Sequence, residues 1–412
     1  MTVIIIPARI LEYVSINMAA NIDNNQLQLS SDTDSEDNTE QSLIEYYFSR
    51  GFQYKSIIDF LTKRHGIIIS ERTLRNRLNE YGLRRRSPNF DMNAVRGVMQ
   101  NLLNGPGNTG GYRSMWHALR TQGLQVPRRV VEQLMRELDP EGCQSRRARR
   151  LRGRTYHVPG PNYCWHTDGY DKLKPYGFPI HGCIDGWSRK IIWLHVARSN
   201  NKPEIPAAFF LKSVQEYGCP VKLRSDCGTE NGIMAAMQCQ FRSEAHAHFY
   251  GTSPANQRIE CWWSQFRKNR STWWINCFKD LCERNIFSPD NELESECLWL
   301  CFSDVIQKDL DYVKEQWNTH RIRDSKHETI PGIPDELYYI PENSGGVENL
   351  AMPLPDNQIQ YVEENLLHFN EEQNMAKDYF EHILENSDLH QPTNWQEAEQ
   401  LYFTLMAIAN GT

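Results

Sequence analysis

Three carboxylates carry the chemistry this sequence offers. Asp168 closes the aromatic run "NYCWHTD", Asp226 closes "PVKLRSD", and Glu260 lies in the first turn of a helical stretch, "NQRIECWWSQFRKN". A single aspartate at a strand end is a turn former or a cap. Two at the carboxyl ends of neighbouring strands converge on one edge of an α/β sheet, where ligands bind. With a helix glutamate facing them they make an oxygen-only pocket. Such a pocket suits hard divalent ions, Mg²⁺ above all and Mn²⁺ after it. Two ions about 4 Å apart bind the attacking and leaving oxygens of a phosphodiester exchange. Asp168 would bridge both ions, and Asp226 and Glu260 would complete one each.

Neighbouring residues read more plainly. Asp185 stands in Asp-Gly at a hairpin and is a turn residue first. His166 reads as a satisfied strand histidine. Trp262, Trp263, Phe266 and Trp273 fall on one side of the helix with Ile259 and read as core. Arg267 and Lys268 come next on the Glu260 side, where phosphate contact and plain solvation are both open. Cys277 and Cys282, like Cys297 and Cys301, look like buried helix positions.

The elements that must position the carboxylates run in a recognisable order. A strand ending at Asp168 precedes a hairpin, "PIHGCIDGW" and "KIIWLHVAR". Next come an amphipathic helix over 202–218, a strand ending at Asp226, a helix, a short fifth strand and one long helix from Asn256. Three strands, helix, strand, helix, strand, helix is the order of an RNase H-like domain: α/β, with a five-stranded mixed sheet.

Ahead of it the pattern is helical. Residues 41–85 predict three short helices, the last starting at Ser70 and stopping at Gly82. In that third helix Leu74, Leu78 and Tyr81 share a face, while Arg72, Arg75, Asn76 and Asn79 lie mostly elsewhere. That is the layout of a helix-turn-helix whose last helix enters a DNA groove; a plain bundle with a solvated basic face is the alternative. Residues 86–155 predict three more helices and an Arg-rich linker, with six arginines in residues 143–154. Such a run is a solvated linker, a phosphate-contacting arm or a nuclear-import signal.

Charge divides the chain of 412 residues in the same way. The net charge of −7 hides a basic middle. Residues 1–40 carry one basic and seven acidic side chains, and residues 335–412 carry one and fifteen, which leaves +13 on 41–334. A basic body suits a polyanion such as nucleic acid. Residues 1–40 predict an acidic, disordered start. Residues 341–412 predict an acidic helical tail, free to cover the core or bind a partner protein. The eleven cysteines form no CxxC pair, which argues for reduced thiols. No segment is apolar enough to span a membrane, and the first residues lack a basic leader.

The motifs "WHTDGYDKL", "CIDGWSRKIIW", "RSDCGTENG" and "SPANQRIECWWSQFRK" together resemble the four signatures of the integrase core of retroviral and retrotransposon integrases and insertion-sequence transposases. The likeness extends over roughly 90–340, is closest to integrase-core proteins encoded in animal genomes, and places the core at 156–340. Asp168, Asp226 and Glu260 match the family's DDE triad one by one, the last two separated by 34 positions in sequence number. The resemblance implies metal-dependent DNA cleavage and strand transfer by a homo-oligomer, with DNA as partner and the nucleus as location. A helix-turn-helix stands where a His-His-Cys-Cys zinc module is usual, and Asn256 is followed by Gln257 and Arg258 instead of glycine. Two other readings stay open: a DNA-binding protein that keeps the fold without the reaction, and an RNase H-type nuclease.

Overall fold

The computed structural model describes residues 39–85, 90–107, 110–145, 157–251, 256–324, 330–366, 375–387 and 389–411. The expected disorder of the N-terminus and the arginine run beyond residue 145 lie outside the described residues.

The sheet is built from β1 (Cys164–Tyr170), β2 (Ile180–Asp185), β3 (Ile191–Val196), β4 (Lys222–Ser225) and β5 (His248–Tyr250), in the order β3-β2-β1-β4-β5. The three leading strands are antiparallel, and β1/β4 and β4/β5 are parallel. Side chains alternate across the sheet. Trp165, Cys183, Trp193 and Leu223 pack on one face against α8 (Glu204–Tyr217) and α9 (Gly232–Arg242). Tyr170, Ile180, Ile184 and Leu194 pack on the other. That second face meets α10 (Gln257–Phe266), α11 (Thr272–Glu283) and the 28-residue α12 (Glu292–Thr319). Ile192 is the extra residue of a β-bulge between β2 and β3, so it points the same way as Trp193. The hairpin turn holds a second departure from expectation. Arg189, not Gly186, takes the left-handed backbone, at φ 64°.

The stretch expected to be one long helix is two. A π turn, Arg267–Ser271, joins α10 to α11. Such turns insert a residue and rotate the downstream helix about its axis. Here the turn lets buried Ser271 meet the Tyr170 hydroxyl and sends Arg270 onto Asp309 of α12.

Ahead of the sheet, α1 (Glu40–Ser49), α2 (Tyr54–His65) and α3 (Glu71–Glu80) share one small core. α1 starts at Glu40, capped by the Thr39 hydroxyl, so the helix begins just inside the stretch expected to be disordered. A second core joins α4 (Met92–Leu103), α5 (Tyr112–Thr121) and α6 (Arg128–Leu138), followed by the short α7 (Pro140–Ser145). Both units are tied to the sheet domain. Ile333 and Tyr339, beside and within α13 (Pro334–Tyr339), enter the first core, and Asn343 accepts from Lys55 and donates to Asp59. His117 of α5 bonds Thr319 of α12.

The acidic tail covers the core. Phe380 of α15 (Met375–Glu385) and Ala398, Leu401, Tyr402 and Leu405 of α16 (Trp395–Ala409) are buried in the same cluster as α10 to α12. Val362 of α14 (Asp356–Leu366) joins the opposite cluster beside α8. Phe403 is exposed, while Tyr402 packs and its hydroxyl donates to the Ile286 carbonyl at 3.1 Å. The acidic side chains sit on the outer face of these helices.

Candidate active site

Asp168 lies within β1, two residues short of its end, and pairs across the sheet with Gly182. The expected strand end is instead the end of the parallel pairing. β4 pairs only with Cys164–His166 and stops at Ser225, and the same register carried two residues on sets Asp226 beside Asp168. Alternation puts His166, Asp168 and Tyr170 on the face that meets α10. Glu260 sits in the first turn of that helix.

The helix start is pinned to the two β1 residues just before Asp168 by one buried residue, Asn256. Its side-chain amide donates to the Thr167 carbonyl at 2.8 Å, and its oxygen bonds His166 Nδ1 at 2.8 Å. Since an amide oxygen only accepts, the proton is on Nδ1. His166 is fully buried, and burial pushes its pKa down to about 3. It is the satisfied strand histidine expected, a neutral clamp between strand and helix.

Trp263 is the second residue that sequence reasoning placed only in the core. Its indole N–H donates to Asp168 Oδ2 at 3.1 Å, and its ring lies 4.9 Å from that of Tyr170. The close approach requires Gly182. A Cβ there would stand 2.8 Å from the indole, nearer than carbon atoms pack. The tryptophan types at 262 and 263 were legible; which one reaches the carboxylate depends on the helix's rotation over the sheet.

Asp226 accepts from Asn231 Nδ2 at 2.8 Å and from Gly228 N at 3.4 Å. Asn231 also donates to Glu230 at 3.3 Å, so a fourth carboxylate stands at this edge. Electrostatics joins the three predicted residues. Burial, then Glu260, then Asp226 push the Asp168 pKa up to about 8, against the Trp263 hydrogen bond. Burial and Asp226 raise that of Glu260. Like charges that resist joint ionisation mark a place where a cation is stabilising.

The donor set is all oxygen and suits a hard divalent ion. Among the described residues, however, no three His, Cys, Asp or Glu side chains are gathered closely enough to hold an ion as they stand. Asp185 is elsewhere. It is fully buried under β2, where its carboxylate accepts from Asn162 N at 2.7 Å, Ser188 N at 2.8 Å and Ser188 Oγ at 2.7 Å. Its role is to close the hairpin.

The expected DNA-contacting residues are all exposed. Arg72, Arg75, Asn76 and Asn79 stand on the outer face of α3, while Leu74 and Leu78 are buried beneath. Arg75 is held by Glu71 at 2.6 Å. Arg267 and Lys268 are exposed in the π turn after the Glu260 helix.

A five-stranded mixed sheet with helices on both faces and acidic residues at the β1/β4 edge defines an RNase H-like α/β domain. Residues 155–340 match the family model described as "Integrase core domain", and this part of the chain is an integrase core domain. No curated protein matches the chain. Among matching solved structures is a cryoEM structure of the simian T-cell lymphotropic virus intasome in complex with PP2A regulatory subunit B56 gamma. It is 15% identical, over 58% of this chain and 72% of that chain, with a TM-score of 0.31. A likeness of that size bears on neither activity nor assembly.

Among the described residues no helix is long and apolar enough to cross a membrane.

Proposed function

We propose that this protein binds DNA and exchanges phosphodiester bonds at the edge formed by Asp168, Asp226 and Glu260. The observation that carries the reading is the meeting of the three carboxylates at one sheet edge of an integrase core domain, where Glu260 and Asp226 add to burial in raising the pKa of Asp168. They would hold Mg²⁺ or Mn²⁺, in two ions, which when bound supply activation of the attacking oxygen and neutralisation of charge on the phosphate. The chain's own part is positional. Asn256 fixes the Glu260 helix on β1, Trp263 orients the Asp168 carboxylate, and Asn231 holds Asp226. Water attacks in end cleavage, and a DNA 3′-OH attacks in strand transfer, each in line with the leaving oxygen.

The exposed faces of α3 and the π turn supply arginine and lysine for duplex phosphates. Activity on chromosomal DNA places the protein in the nucleus, working as a homo-oligomer that holds two DNA ends. The test is a Mg²⁺-dependent nicking and strand-transfer assay with donor ends taken from the flanks of the gene. Joined products that vanish in Asp226→Asn support the reading.

A second reading is a DNA-binding protein that has kept this fold without the reaction. The Trp263 hydrogen bond on Asp168 and the ungathered carboxylates favour it. It is sustained if the protein binds duplex DNA, shows no Mg²⁺-induced rise in melting temperature, and yields no product. An RNase H-type nuclease would cleave RNA–DNA hybrid in place of joining ends.

A further inference from the structure

Between the two helical units ahead of the core lies an open cavity of about 820 Å³ with no acidic side chain among the described residues of its lining. Three arginines from three separate places converge on it. Arg85 comes after α3, Arg120 ends α5 and Arg128 begins α6. Aromatic rings brace them. Arg128 lies 4.2 Å and Arg120 5.4 Å from the Trp116 ring, and Arg85 lies 5.1 Å from Tyr54. Arg120 also packs directly over Gly51, where any Cβ would stand 2.4 Å from its guanidinium.

Cations held together normally have anions among them. Arg85 is partly used, since it donates to the Phe52 carbonyl. Arg120 and Arg128 have no acidic or hydrogen-bonding partner among the described residues. Burial, then Arg85 and Arg128, push the Arg120 pKa down to about 10. Among the described residues no acidic side chain relieves that repulsion.

We infer that this groove binds the sugar-phosphate backbone of DNA, one or two phosphates seated between Arg120 and Arg128. Guanidinium forks match phosphate oxygens in pairs. The aromatic walls hold the forks in place at small entropic cost, which a solvated surface arginine lacks. The cavity is too large for one carboxylate side chain and is open along one side, as a strand requires. It also adjoins the exposed face of α3: the Tyr54 ring lies 4.9 Å from Arg75 of that helix and 5.1 Å from Arg85 of the groove. A strand seated here would bridge both helical units. The inference rests on the DNA-binding part of the proposed function but on different residues.

The experiment measures binding of full-length protein to a fluorescent duplex across about 50 to 200 mM salt. Each phosphate contact adds about 0.9 to the slope of log affinity against log salt. Arg120→Gln/Arg128→Gln should reduce the slope by about two and low-salt affinity at least tenfold, while the melting temperature holds or rises. If that double variant unfolds, Arg128→Gln alone, on an exposed side chain, should reduce the slope by about one. Arg72→Gln/Arg75→Gln serves as the α3 comparison. A wild type that binds, with the groove variant's slope unchanged, overturns the groove whatever the α3 variant does. A wild type that does not bind at low salt overturns the groove together with DNA binding. Unchanged DNA affinity, with a polyglutamate-induced rise in melting temperature that the variant loses, overturns it in favour of an acidic peptide.

Discussion

The carboxylate edge of the sheet and the arginine groove between the helical units are opposite in sign and alike in construction. In each, burial and like charge act in the same direction: Asp168 is pushed up to about 8 and Arg120 down to about 10. Arg189 is likewise pushed down to about 10 and donates to backbone carbonyls, whereas two other buried cations are paired with carboxylates. Lys190 meets Asp335 at 2.5 Å, and Arg270 forks onto both oxygens of Asp309. For both cations burial alone would lower the pKa, and the partner carboxylate reverses it. At these two joints the counter-charge that keeps a buried cation ionised is part of the fold. The two unpaired clusters carry a cost to stability, and charge relief from outside lowers it, cation at one and phosphate at the other.

The largest test of this contrast is Asp168→Asn. It removes the central ionisable group of the acidic cluster at nearly constant volume. Strand transfer should fall to background. The rise in melting temperature with Mg²⁺ or Mn²⁺, which comes from mass action on the folded state, should vanish. The metal-free protein should become more stable, by the order of a kcal/mol and so by ~2–4 °C. A variant that melts lower without metal and still responds to Mg²⁺ removes the acidic cluster from the comparison.

A buried pair should respond in the opposite sense. Asp309→Asn leaves Arg270 buried with a neutral partner and also weakens the 2.8 Å bond from Trp274 Nε1. Loss of one partner of a buried pair costs ~3–5 kcal/mol. Arg270→Met/Asp309→Leu, which removes both charges, should recover most of that loss. Urea unfolding of the three proteins measures the difference. Equal losses for single and double variants mean that packing, not charge pairing, holds this joint.

Asp185→Asn sharpens the acidic side of the contrast with a smaller effect. Asp185 is fully buried, yet it accepts three hydrogen bonds within its own hairpin and a fourth from Asn162 N ahead of β1. An asparagine turns an NH₂ toward N–H donors, which costs ~1–3 kcal/mol. The Mg²⁺ response should be untouched. Loss of the response in this variant alone reassigns the metal-binding carboxylates.

The two clusters were unequally legible in the sequence. Each triad residue sits in its own local motif, so Asp168, Asp226 and Glu260 were readable one at a time, although Asp168 proved to lie within β1 and not at its end. The parallel register of β1 and β4, which sets the two aspartates side by side, is a consequence of the strand order. Asn256 and Trp263 were not readable as partners of β1, because their contacts depend on how α10 is turned over the sheet. The π turn is invisible to hydrophobic periodicity, since apolar residues continue through it at nearly helical spacing. The groove had no signal at all. Arg85, Arg120 and Arg128 are ordinary arginines at the ends of three helices, and only the packing of two separate cores brings them together. The tail's helices were legible but not their docking: the sequence left covering the core and binding a partner both open, and Leu401, Tyr402 and Leu405 are buried in the core.

The smallest expected effect concerns the joint between the groove-bearing α5 and the core. His117 is buried and bonds Thr319 Oγ1 at 2.9 Å, while that hydroxyl donates to the Glu315 carbonyl at 2.7 Å. The hydroxyl proton is therefore spent, and His117 must donate from Nε2 as a neutral ring. Burial, then His320, Arg120 and Arg50, hold its pKa down to about 4, against an ordinary 6.5. Between those values the unfolded chain binds the proton and the folded one does not. Stability contributed here is thus complete above about pH 6.5 and is lost as pH falls toward 4, by up to ~3 kcal/mol. His117→Gln keeps an N–H for Thr319 and does not titrate, so its loss of stability between pH 6.5 and 4.5 should be shallower than that of wild type. Buried His166, His181 and His248 also have lowered pKa values and retain their share of the slope. Urea midpoints at four pH values, read with matched slopes for the two proteins, measure the difference. Superimposable curves mean that this histidine is not held neutral at the joint. The helical unit would then dock on the core through apolar contacts alone, and the unrelieved positive charge around Arg120 would end at the groove instead of reaching the core.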